Sequence, residues 1–300
     1  MCMRKFGWLI GILGLVSCQN LRQEVEPEQL ADQPVKLLVA CFISPQDTVL
    51  AAKVARSRPI LDDETVTNLE ITNATVTLQT GSRSVVLTYH PRLRYYRASP
   101  NQFPIRAGET YQISVQTPDG QSVEARTTVP EAVSLQQVRL DSEVVLENDQ
   151  VRKRFFAKYI WSDFPTHTNY YQTEGTFTHR CSGCSPEKTI HEPVQFPGKQ
   201  GLYSDQESNG GRMVSDPGYL GVSIPSNQPF FPTLFSKPFV LTADLLHLNA
   251  DYYRYHQALQ RQQEVESNPF AEPVPIPTNI RGGLGCFGAY SRSTLTIRLD

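Results

Sequence analysis

The chain has 300 residues, with 28 Lys and Arg against 30 Asp and Glu and a formal charge of -2. The charges are spread without long runs, which excludes the basic footprint of a nucleic-acid or anionic-lipid binder. With 13 Tyr, 14 Phe and 22 Pro, composition favours a β-rich chain with many turns, and the length suits two domains of ordinary size.

In chain order the first signal is an address. Arg4 and Lys5 precede an apolar run from Phe6 to Val16 that is too short to span a bilayer as a mature helix. Leu15-Val16-Ser17-Cys18 then closes it as a lipobox. The expectation is a signal peptide over 1–17 and a mature chain beginning at Cys18. That thiol would carry diacylglyceryl, with fatty chains of the palmitate type, each buried methylene contributing about 0.8 kcal/mol to membrane retention. Residues 18–34 are polar, with Glu24, Glu26 and Glu28 and two prolines, and read as a tether that buries too little apolar area to fold.

From 35 to 130 short strand-like runs alternate with turn signals: Lys36 to Ile43, Val49 to Ala55, Ala74 to Thr80, Ser84 to His90, Tyr95 to Ala98, Tyr111 to Thr117 and Ser122 to Val129. Tyr111, Ile113 and Val115, then Pro118-Asp119-Gly120, then Val123, Ala125 and Thr127, predict a hairpin with one wet face. Seven such strands predict an immunoglobulin-like antiparallel sandwich, and Val129-Pro130 closes it. Asp62-Asp63-Glu64 falls in a loop and reads as a solvated carboxylate cluster ahead of a calcium site, because no second spaced set accompanies it.

A second β-rich domain is predicted over 131–300. Leu135 to Leu146, Arg154 to Trp161 and Asn169 to His179 are strand-like, and 186–238 reads as long loops with one or two short strands near Gly221 to Ile224. A helix is predicted over about 243–266, capped by Thr242, with Leu245, Leu248, Tyr252, Tyr255 and Leu259 on one face and Asn268-Pro269 ending it. His247, Asp251 and His256 fall on that predicted helix, but nothing completes a metal set at known spacing, so they read as solvated or core-rim groups. Ser293 to Leu299 predicts a closing strand.

Of six cysteines, Cys2 leaves with the leader and Cys18 takes lipid. Cys181 and Cys184, around a turn with Gly183, admit a local disulfide first, free thiols second and metal or redox work third, with His179 and His191 flanking them at no familiar zinc spacing. Cys41 and Cys286 sit in apolar strand patterns and read as small buried hydrophobes, a bridge between them being the alternative. Gly283-Leu-Gly285-Cys-Phe-Gly288 has the letters of a dinucleotide fingerprint, but no βαβ unit fits in the twelve residues after it. Its glycines predict a bend, a bulge or close backbone approach. No nucleophile elbow, zinc helix or phosphate loop occurs, so no enzyme activity, cofactor or metal is expected.

Several segments together resemble one family, the DUF4249 lipoproteins of Bacteroidetes. They are Leu38-Val-Ala-Cys-Phe-Ile-Ser-Pro-Gln-Asp47, Arg56-Ser-Arg-Pro59, Gly108-Glu-Thr-Tyr111 with Val129-Pro130, and Asn268-Pro-Phe-Ala-Glu-Pro273 leading to Asn279-Ile-Arg-Gly-Gly-Leu-Gly-Cys-Phe-Gly-Ala-Tyr290. Cys286 stands where the resemblance leads one to expect an aliphatic or aromatic residue. The resemblance implies an outer-membrane location and work beside a TonB-dependent receptor, and it brings no catalytic residues with it. The expectation is therefore a lipid-anchored binding or accessory protein that assists such a receptor in ligand capture or uptake. The rivals are an envelope hydrolase with a site in the 186–238 loops and a structural or adhesive surface protein.

Overall fold

The computed structural model describes residues 35–58, 69–165, 167–181, 188–197, 200–206, 210–227, 235–266, 268 and 271–299. Cys18, the leader and tether, Asp62 to Glu64 and Cys184 lie outside the described residues, as does the side chain of Cys181.

The protein is mainly β, with one helix among the described residues. Its first half carries β1 (Leu37–Ile43), β2 (Leu50–Arg56), β3 (Thr75–Thr80), β4 (Arg83–His90), β5 (Tyr95–Ala98), β6 (Thr110–Gln116) and β7 (Ser122–Thr128). Each matches a predicted strand to within a residue or so. Alternate residues such as Val39 and Cys41, Val76 and Leu78, and Ile113 and Val115 meet in one core drawn from all seven strands. The β6–β7 hairpin turns at Pro118-Asp119-Gly120 as predicted, with Tyr111 opposite Thr127 and Val115 opposite Val123.

The second half carries β8 (Leu135–Glu147), β9 (Gln150–Ser162), β10 (Tyr170–Cys181), β11 (Thr189–Pro193), β12 (Leu202–Ser204), β13 (Arg212–Val214), β14 (Gly218–Pro225), β15 (Phe235–Leu248), α1 (Ala250–Val265) and β16 (Leu284–Arg298). One sheet runs β11-β10-β15-β16-β1-β2-β5-β4-β3-β6-β7, with β12 on β10; β13, β9 and β14 form another, with β8 beside β9. A second core of Phe155, Tyr159, Trp161, Phe177, Leu241 and Leu245, among others, lies where the β9 and β15 sheets face each other.

Two sequence expectations are corrected here. The helix begins at Ala250, not Ala243, and its N-cap is Asn249, whose Oδ1 accepts from Tyr252 N at 3.1 Å, not Thr242. Residues 243–248 belong to β15: Ala243 and Leu245 enter the second core, while Leu246 and Leu248 face the other way, against Tyr252 of α1. A strand buried on both faces reads as a continuous apolar run, which periodicity alone does not separate from a helix. Among the described residues the 186–238 segment holds four strands, β11 to β14, and the first residues of β15, instead of one or two short strands. Each of the four is short and pairs onto the edge of a longer neighbour, so it has little pattern of its own.

β16 begins nine residues earlier than the predicted Ser293 and absorbs the glycine motif. Leu284–Ala289 pair in parallel with Leu38–Ile43, while Tyr290–Arg298 pair antiparallel with β15. Gly285 has φ +103°, and a Cβ on it would drive into the Val39 carbonyl. The predicted close backbone approach is present, and the pairing with β1 keeps its register through Gly285 with no bulge. Where β15 ends, two side chains stand in for it along β16. Asn249 accepts from Ala289 N at 3.0 Å, and Asn279 accepts from Phe287 N and donates to Phe287 O, both at 2.9 Å. Backbone groups that would otherwise lack partners are thereby satisfied.

Candidate ligand-binding cleft

β9 is the element that builds a site. Its odd residues Phe155, Ala157, Tyr159 and Trp161 fill the second core. The pleat therefore sends Arg152, Arg154, Phe156 and Lys158 to the opposite face. β14 pairs with that strand through Tyr219 opposite Phe156, slips across a bulge at Gly221 (φ +71°), and resumes with Ser223 opposite Arg154. The bulge re-aims the strand so that Tyr219 and Ser223 both line one cleft of about 550 Å³, with Glu147, Arg154 and the segment Gln195-Phe196-Pro197. Gln195 is fixed by paired backbone bonds with Tyr219, at 2.8 and 2.7 Å. Phe196 is buried edge-on against Tyr159, 5.5 Å between ring centres.

Two ion pairs set the electrostatics of the wall. Arg154 lies over the Tyr219 ring, 3.9 Å from its centre, and donates to Glu143 Oε1 through Nη2 at 2.5 Å and Nε at 3.1 Å. The Arg154 bond, then the Tyr219 hydroxyl, hold Glu143 below the ordinary carboxylate range. Burial, then Glu143, push Tyr219 up. Arg152 Nε donates to Ser223 Oγ at 2.8 Å, and Ser223 Oγ donates in turn to Glu147 at 2.7 Å. The cleft thus offers an aromatic and proline floor, a pinned guanidinium, an amide and a hydroxyl–carboxylate pair. Such a set combines the contacts that a ligand of mixed polarity needs, and the volume lies in the range of small-molecule sites.

The 186–238 segment, read from sequence as long loops and as the place for the site of the hydrolase alternative, supplies Gln195, Phe196, Pro197, Tyr219, Gly221 and Ser223. Arg154, Glu143 and Glu147 carry no motif and were not singled out by sequence. The signal for Arg154 was the alternation of Arg152, Arg154 and Lys158 with Phe155, Ala157 and Tyr159, which marks a sheet surface without saying that it is concave.

The other sequence candidates are placed as follows. His179 Nε2 lies 3.7 Å from Glu192 Oε1, and His191 Nδ1 lies 3.0 Å from Thr178 Oγ1. The serine in the cleft bonds Glu147 and Arg152 instead of a histidine. His247 is on β15, apart from Asp251 and His256 on α1. Among the described residues no cluster of three His, Cys, Asp or Glu is placed to hold a metal ion. Cys41 and Cys286 are buried and free. Cys41 lies beside Phe287 and Cys286 beside Ala40, one residue out of step, so the pleat turns the two thiols to opposite sheet faces.

The family model described as a domain of unknown function, DUF4249, matches residues 22–296. The chain belongs to this family. The DUF4249 match takes in both cores, α1 and every residue of the cleft, so the likeness seen in the Asn279 to Tyr290 segment extends over nearly the whole chain. No curated protein matches the sequence.

Proposed function

We propose that this DUF4249 chain is a lipid-anchored outer-membrane protein that binds ligand in the β9–β14 cleft and assists a TonB-dependent receptor in its capture or uptake. The observation that carries the binding half is the cleft: aromatic floor, polar walls held in place by paired charges, and lining residues on three separate segments. The anchoring half rests on Leu15-Val16-Ser17-Cys18 and the polar stretch after it, which together would give a folded body a lipid foot and some reach.

The test is isolation of the native protein from outer membrane solubilised in mild detergent. Co-purification of a TonB-dependent receptor, lost with Cys18→Ser, is the expected result. Recovery of the chain alone, or of an unacylated soluble product, defeats the proposal.

A further inference from the structure

The four-stranded sheet that carries the cleft has an open side. β8 pairs with β9 along its 13 residues, and no described strand lies on its other flank. Which backbone groups of β8 face outward follows from β9. Tyr159 O accepts from Ser215 N at 2.9 Å, Tyr159 N donates to Ser215 Oγ at 2.9 Å, and Val151 O accepts from Ser226 N at 3.1 Å. The odd residues of β9 therefore bond away from β8, and its even residues bond toward it. Phe156 and Lys158 make the hydrogen-bonded pairs with Asp141 and Arg139, while Leu140, opposite Ala157, points its own N–H and C=O off the edge. The same holds for Val138, Ser142, Val144 and Leu146.

Two of the outward donors are met within the chain. Ahead of the register shift at Gln136, Leu135 N donates to Ser293 Oγ at 3.0 Å, and Ser142 N donates to Asp141 Oδ1 at 2.8 Å. The outward backbone groups of Val138, Leu140, Val144 and Leu146 have no backbone partner among the described residues. An open edge of this length is a template for a further strand.

Charge selects the strand. Arg139 and Asp141 are both exposed. Arg139 stands opposite Lys158, a like charge across the ladder, and the ion pairs between β8 and β9 use Glu143 and Glu147 instead. An incoming strand that sets a carboxylate beside Arg139 and a cation beside Asp141 relieves this, and β8 itself is such a strand when it runs antiparallel to a second β8 about Leu140. Arg139 then faces the other copy's Asp141 on both sides of the two-fold axis, Leu140 faces Leu140, and Val138 faces Ser142. Centring the pair on Asp141 sets that carboxylate against itself, and centring it on Ser142 sets it against Glu143. Centring on Val138 runs into Leu135, whose N–H is already taken by Ser293.

We propose that this chain forms a two-fold dimer by antiparallel pairing of β8 with β8 of a second copy, centred on Leu140, so that two four-stranded sheets become one. The outward groups fall into register: Leu140 exchanges both backbone bonds with Leu140, and Val138 does so with Ser142. Asp141 leaves Ser142 N for the other copy's Arg139, so the group that caps the edge of the free chain becomes half of an ion pair in the dimer. The interface is isologous and closes on itself, which stops growth at two copies.

The test is sedimentation of the full chain in mild detergent over a dilution series. A dimer that dissociates on dilution is expected, weakened at least about tenfold by Arg139→Asp or by Asp141→Arg, each of which sets like charges opposite at both ends of the pair. The two substitutions combined should restore it, because the swap exchanges the charges and keeps their pairing. A second reading is covalent: Leu140→Cys should cross-link two copies under mild oxidation where the parent does not, since paired Cα atoms at this position lie about 5.5 Å apart. A parent that stays monomeric at every concentration, or that pairs only with a different protein, overturns the proposal. So does a dimer that ignores the single reversals, is not rescued by the combined swap, or gives no cross-link through position 140. Should a charge variant fail to fold, the parent's mass and the cross-link decide.

Discussion

At the scale of single residues the structure rests on a few positions with no substitute. Gly285 occupies a left-handed φ near the start of β16, against the backbone of Val39. Gly285→Ala adds both backbone strain and a clash with a carbonyl that has nowhere to go. A loss of about 2–4 kcal/mol in urea denaturation is expected. Asn249 does three jobs at once, accepting from Tyr252 N and Ala289 N and donating to Thr127 Oγ1 at 2.9 Å. Asn249→Ala should cost about 2 kcal/mol by the same measurement, and Asn249→Asp, which keeps the acceptor, less. The thiols give a chemical readout. Burial first, then Asp251, pushes Cys286 up to about 12, and burial pushes Cys41 higher still. Both should stay neutral and resist iodoacetamide at about pH 8 until the chain unfolds, as judged by peptide mapping. Because the unfolded chain ionises them near pH 9 and the folded chain does not, stability should fall above that pH.

At the scale of elements, legibility followed how many faces a strand buries. β1 to β7 each bury one face, so alternation located them to within a residue or so. β15 buries both faces around Ala243 to Leu248, and its pattern passed for the start of α1. The glycine run before Ser293 hid the first half of β16, because a strand that meets another backbone closely gives up the side chains that would announce it. The same logic separates what was legible of the cleft. Its loop half lay in a segment marked by composition, whereas Arg154 and Glu143 became partners only through the pairing of β8 with β9 across a turn in which Asn148 and Asp149 both have positive φ. Tyr219→Ala and Arg154→Ala test that cleft. Both sit on a solvent-facing sheet, where a cation over a ring and a surface ion pair contribute little to folding. Each variant should melt close to the parent while retaining several-fold less of the small molecule that co-purifies with the parent chain. Equal retention would move the binding site elsewhere.

At the scale of the whole molecule, the two cores are tied by one strand. β16 lies beside β1 over Leu284–Ala289 and beside β15 over Tyr290–Arg298, contributing Phe287 and Ala289 to the first core while Leu295 packs against the second. Further cross-ties run from Asn249 to Thr127, from Ser291 to Pro130 and from Leu135 N to Ser293 Oγ at 3.0 Å. Neither core keeps its wall if β16 leaves, so the halves should unfold together even though each has its own interior. Cys41 and Trp161 are reporters placed to check this, one inside each core. In a urea series, the midpoint for Cys41 alkylation and the midpoint for loss of native Trp161 fluorescence should coincide. Were Cys41 to become reactive while Trp161 still fluoresced as in the native state, the first half would be opening alone, and β16 would be a contact between two independent bodies instead of a shared wall.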